Sequence, residues 1–174
     1  KIITSTSLGA SYLMEPDMLN FKIEQIAIAP ANVEKARKLL EDMGAIDWVE
    51  DTVVASGKVF GKKGENQADL NFNYDLIEGK EFEILNYKEG NNWVDTLGRG
   101  RNTVSHLGMH CSGKELIGWR KFFAERNIPV AQEVKTQSHT NPVIAGKRWY
   151  NYVIFDTKEI LGVDLKFIVR LEPE

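Results

Sequence analysis

The chain has 174 residues, of which 43% are hydrophobic, 10% aromatic and 27% charged, with a net charge of −3 and a pI near 5.7. This is a globular composition, too apolar for disorder, and no Lys/Arg stripe marks a surface for nucleic acid or an anionic membrane. No apolar run approaches the roughly 20 residues that cross a bilayer, and the lone Cys111 excludes an internal disulfide or a thiolate metal cluster and fits a reducing, cytoplasmic setting.

Residues 1–20 scatter Ser, Thr and Gly among short apolar stretches, lack the continuous apolar core of a signal peptide, and read as an N-terminal extension. Phe21–Ala29 is apolar on both alternating faces and predicts a buried strand that Pro30 ends. Asn32 then offers an N-cap to a helix whose apolar residues, Val33, Ala36, Leu40 and Met43, recur at helical spacing until Gly44 stops it. Three strands are expected next, at about Trp48–Gly57, Ala68–Asp75 and Glu81–Tyr87, the last two joined by a turn around Gly79. Residues 91–101 read as a linker, and their Gly98 and Gly100 lack the helix that a phosphate-binding loop requires.

The order then repeats. Asn102–Cys111 predicts a strand, Ser112 with Glu115 forms a capping box, and Leu116, Trp119 and Phe123 give the following helix its apolar stripe. Strands are expected at about Pro129–Thr136, Lys147–Thr157 and Val163–Leu171. Each half is therefore a βαβββ module, residues 21–90 and 102–172, within one α+β domain. Gln25 and His106 lie 81 residues apart, and the caps Asn32 and Ser112 lie 80 apart, an offset that points to internal duplication.

Polar side chains at matching places carry the chemistry. Gln25 and His106 sit mid-strand among apolar neighbours, where a polar group needs a partner, and both can bind a divalent ion. The last strands align as FEIL and VDLK, which matches Glu83 with Asp164; 58 residues separate Gln25 from Glu83 and His106 from Asp164. Four such ligands meeting across a pseudo-twofold axis leave an ion with open positions, as a Lewis acid needs. His110 lies four residues beyond His106, about 13 Å along a strand, so it cannot share that ion and is placed at the mouth of the same cavity. Arg148, Tyr150 and Tyr152 share one strand face, and a cation with two phenols suits an anionic or aromatic ligand.

These features resemble the vicinal oxygen chelate superfamily, the group of glyoxalases, bleomycin-resistance proteins and extradiol dioxygenases. The resemblance covers about residues 22–170 and rests on the paired modules, Gln25, the FEILNY segment around Glu83, and SHLGMH around His106. It implies paired half-barrels around a shared cleft, and a divalent metal (Zn, Ni, Mn or Fe) held by Gln25, Glu83 and His106. Glu83 would also move the proton of a lyase or isomerase reaction on a small oxygen-chelating substrate. A homodimer is optional, because fused modules complete a site within one chain. The fourth position departs from the pattern: counting from Gly162 reaches Lys166, while the internal repeat reaches Asp164, and both share one strand face. A protonated Lys cannot ligate a metal. With Lys166 there, a fixed positive charge replaces the ligand, and the alternative is a non-catalytic small-molecule or antibiotic-binding protein of the bleomycin-resistance type.

Overall fold

The computed structural model describes residues 19–97 and 102–171. The expected N-terminal extension up to residue 18 and the end of the expected linker, residues 98–101, lie outside the described residues. The first half runs β1 (Gln25–Ala29), α1 (Val33–Asp42), β2 (Val49–Val59), β3 (Lys62–Asn73) and β4 (Glu81–Gly90). After the short helix α2 (Trp93–Thr96), the second runs β5 (Thr103–His110), α3 (Gly113–Ala124), β6 (Val130–Ser138), β7 (Trp149–Phe155), α4 (Lys158–Leu161) and β8 (Asp164–Leu171).

The eight strands close into a barrel in the order β1-β4-β3-β2-β6-β7-β8-β5. Each half contributes the same arrangement: its first strand pairs in parallel with its last, and the other neighbours are antiparallel hairpins. Two antiparallel seams, β1 with β5 and β2 with β6, join the halves. Gly57 sits in the second seam, where a Cβ would lie 2.0 Å from the Glu133 carbonyl oxygen, so only glycine lets the strands approach this closely.

Several elements differ in extent from the sequence reading. β2 and β3 form one long hairpin around Phe60 and Gly61, whose φ angles of 45° and 74° match the twist of the flanking strands. β1 begins at Gln25 because Phe21 leaves the sheet and packs edge-on against Trp119 and Phe167, at 6.1 and 5.7 Å between centroids. The helices α2 and α4 were not anticipated; Trp93 of α2 is buried and donates to the Tyr87 hydroxyl at 3.0 Å.

The core has two parts. Val53, Leu70, Leu85, Tyr87, Trp93 and Ile154 fill the barrel beside the polar site. Outside it, Leu116, Trp119 and Phe123 of α3 pack on Phe155 and Phe167 of the sheet, with the Phe123 and Phe155 rings stacked at 4.2 Å. The capping box forms as its motif predicts: Ser112 Oγ accepts from the Glu115 amide, and the Glu115 carboxylate accepts from the Ser112 amide.

Candidate active site in the barrel

Alternation along each strand decides what points inward. Gln25 on β1, Glu81 and Glu83 on β4, His106 and Gly108 on β5, and Asp164 and Lys166 on β8 occupy positions two apart, so each pair shares a strand face. At Gly108 an added Cβ would lie 3.0 Å from the Gln25 side-chain oxygen, so this glycine makes the space in which that amide lies.

Four buried side chains meet there. His106 Nε2 is 2.9 Å from Gln25 Oε1 and 3.3 Å from Glu83 Oε2. Lys166 Nζ donates to Gln25 Oε1 at 3.2 Å and lies 3.8 Å from Glu83 Oε2. Its ammonium also stands over the Tyr152 ring, 4.3 Å from the centroid. Gln25 turns its oxygen inward because its Nε2 donates outward to Glu81 Oε2 at 2.8 Å. Sequence reasoning missed Glu81, although it precedes Glu83 by two residues on the same strand and so shares its face. It also missed Ser105, whose Oγ lies 3.1 Å from His106 Nδ1; strand alternation gives no hint that adjacent residues contact each other.

The contacts settle the protonation of the group. His106 Nε2 faces two acceptors, Gln25 Oε1 and Glu83 Oε2, so Nε2 carries the ring proton and Nδ1 accepts from Ser105 Oγ. Burial, reinforced by the Lys166 charge, lowers the His106 pKa from 6.5 to about 4, so the ring is neutral at pH 7. Burial opposes ionisation of Glu83, but Lys166 and His106 outweigh it and hold the carboxyl below its usual range. Both Glu83 oxygens are fully buried without an aligned hydrogen bond, and the Lys166 ammonium 3.8 Å away is the charge that balances the carboxylate, with the neutral His106 N–H at 3.3 Å beside it.

Strand register sets Asp164 apart and corrects its expected role. Gln25 pairs with Glu81, and His106 pairs with Asp164. The counterpart of Asp164 is therefore Glu81, and the counterpart of Glu83 is Lys166. The equal 58-residue spacings matched the wrong residues, because register partners are 56 residues apart in the first half and 58 in the second. Asp164 Oδ1 accepts the backbone amides of Thr157 and Lys158 at 3.1 and 3.2 Å, holding the turn into α4, and Lys166 stands at the fourth position.

A cavity at one rim of the barrel borders the quartet through Tyr152 and Glu81. Phe72 and Tyr74 stack at 6.3 Å, Tyr150 and Tyr152 at 5.8 Å, and all four rings line one cavity of about 70 Å³ with Glu81 and His110. An outer hollow of about 290 Å³ shares Tyr74, Glu81 and His110. His110 Nε2 lies 3.4 Å from Glu81 Oε1, and this contact raises the His110 pKa. Arg148 is half-buried just before β7 and does not line either space; burial raises the Tyr74 pKa to about 12, and the Arg148 charge opposes this only weakly. A larger space of about 660 Å³ lies outside the barrel, between residues 19–24 and α3, and is not lined by the quartet.

No family model matches the sequence. No curated protein matches it either. Solved structures do. Methylmalonyl-CoA epimerase from Mycobacterium tuberculosis superposes with a TM-score of 0.54 at 11% identity, over 90% of this chain and 93% of the epimerase. A hypothetical protein from Bacillus halodurans superposes with a TM-score of 0.52, also at 11% identity, over 88% of this chain and 96% of the other. At this identity the likeness shows the fold alone, the paired βαβββ barrel that the sequence resemblance implies.

Whether a metal fits this barrel is decided by the donors. Gln25 Oε1, Glu83 Oε2 and His106 Nε2 converge, but the fourth member is an ammonium within 3.2 Å of one donor and 3.8 Å of another. It repels a second cation and offers no lone pair. Among the described residues no three of His, Cys, Asp and Glu group closely enough to hold an ion. The residues present do not fit the expected divalent metal.

Proposed function

We propose that this chain is a small-molecule-binding protein that takes a flat, aromatic ligand at the open rim of its barrel. The observation that carries this reading is the pair of ring stacks, Phe72–Tyr74 and Tyr150–Tyr152, lining one cavity at the barrel rim. Aromatic walls bind flat apolar surfaces, and Glu81 and His110 at the edge supply the few polar contacts that orient a ligand. The inner cavity is small, so a ligand rests mainly in the outer hollow with one edge between the rings. The quartet connects to this cavity through Tyr152, which Lys166 faces, and Glu81, which accepts from Gln25.

The experiment is a binding screen of planar aromatic compounds by ligand-detected NMR, repeated on Tyr150→Ala and Tyr74→Ala. Binding that weakens at least tenfold in both variants supports the reading. Hits that bind both variants as tightly as the native chain would remove it. A second reading, a divalent-metal-dependent lyase or isomerase, draws on the convergence of Gln25, Glu83 and His106, and it requires Lys166 to leave its present place.

A further inference from the structure

We infer that Lys166 stands in for a metal ion, so that one substitution separates this barrel from a divalent-cation site. Three observations support this. Gln25 Oε1 and Glu83 Oε2 lie 2.9 and 3.3 Å from His106 Nε2. Donors bound to one ion at about 2.0–2.2 Å are separated by about 3 Å, so these atoms already have the spacing of a shared shell. Next, Lys166 is the register counterpart of Glu83, so it holds the place where duplication would put a second carboxylate. Finally, Glu83 is fully buried with neither oxygen in an aligned hydrogen bond, and the Lys166 ammonium is the cation beside it. A carboxylate removed this far from water needs a positive charge, and a covalently attached one is always present.

The Lys166 charge has a definite structural effect. It donates to Gln25 Oε1 and thereby orients the amide that accepts from His106. It draws Glu83 toward the same centre. A carboxylate at position 166 would reverse the local charge and add a donor atom opposite Glu83. The vacated ammonium position would then be bounded by oxygen and nitrogen donors from β1, β4, β5 and β8.

The test is metal uptake by the full chain, independent of any organic ligand, so a failed aromatic screen leaves it unaffected. Chelator-treated protein is titrated with Zn²⁺, Ni²⁺ and Mn²⁺ separately by calorimetry. The native chain is expected to show no uptake that His106→Ala removes. Lys166→Glu is expected to gain one ion per chain and lose it again in the Lys166→Glu/His106→Ala double variant. Lys166→Gln, which keeps the length and removes the charge, serves as the second variant if Lys166→Glu does not fold. Stoichiometric, His106-dependent uptake by the native chain overturns the inference. So does a folded Lys166→Glu or Lys166→Gln protein that binds none of the three ions.

Discussion

The two halves of the barrel share one strand plan and differ in almost everything attached to it. In the second half, α3 buries Leu116, Trp119 and Phe123 against the sheet. In the first, α1 has no fully buried residue and presents Leu39 at 61% exposure, with its C-cap Met43 at 74%. Arg37 holds it at the surface through contacts to Glu50 and Asn71. The inward polar residues differ as well: Gln25 answers His106, Glu83 answers Lys166, and Glu81 answers Asp164. Repetition supplies the geometry, and divergence between counterparts turns a symmetric cavity into a polarised one. Within the quartet neutral answers neutral and anion answers cation, so those four residues balance their own charges.

Substitutions can break this contrast, beginning with the helices. Phe123→Ala is expected to cost about 3–5 kcal/mol, since it empties a buried aromatic cluster. Leu39→Ala on the exposed face of α1 should stay within about 0.5 kcal/mol. Urea unfolding of the two variants measures the difference, and equal losses would mean that α1 is anchored as firmly as α3.

The next effect is on pH dependence. The unfolded chain protonates His106 below about 6.5, whereas the folded site resists until about 4. Stability is therefore full above pH 6.5 and falls as pH drops toward 4, by about 3 kcal/mol. Glu83, whose folded pKa is lowered, adds a further loss only below the usual carboxylate pKa of about 4.3. His106→Gln copies the counterpart Gln25 and removes the first loss. His110 titrates in the opposite sense, because Glu81 raises its pKa, but it is common to both proteins and cancels in the comparison. Unfolding free energies at pH 7 and pH 4.5 check this, and an unchanged slope in the variant would contradict the neutral His106.

The smallest effect concerns the helix caps. Ser112→Ala loses a reciprocal box and should cost about 1–2 kcal/mol, while Asn32→Ala loses a single bond to the Lys35 amide and should cost about 0.5–1 kcal/mol. Thermal melts of the two variants rank them, and the reverse order would place the weaker anchor in the second half.

What could be read from the chain followed the range of the forces involved. Asn32 and Ser112 declared their helix starts because a cap needs only groups three residues away. Gln25, Glu83 and His106 stood out because each is a polar residue inside an apolar strand. The fourth position was not legible. Asp164 and Lys166 share one face by parity, and only the pairing of β5 with β8 shows which lies level with His106 and which lies two steps on. The amides of Thr157 and Lys158, which engage Asp164, belong to a short turn that carries no strong pattern. The hairpin at Phe60 and Gly61 was obscured in the same way, because β2 and β3 carry charged and amide residues through much of their length.

The first seam has a kinetic meaning. Gln25 and His106 lie on opposite sides of the β1–β5 junction and 81 residues apart in sequence. Closing so long a loop is entropically slow, and neither local helix nor hairpin can substitute for it. The quartet draws one residue each from β1, β4, β5 and β8, so it exists only once both halves of the barrel have met. A half-chain released from its partner would bare two unpaired strand edges and a Glu83 without its cation, and so would aggregate before it could show any chemistry.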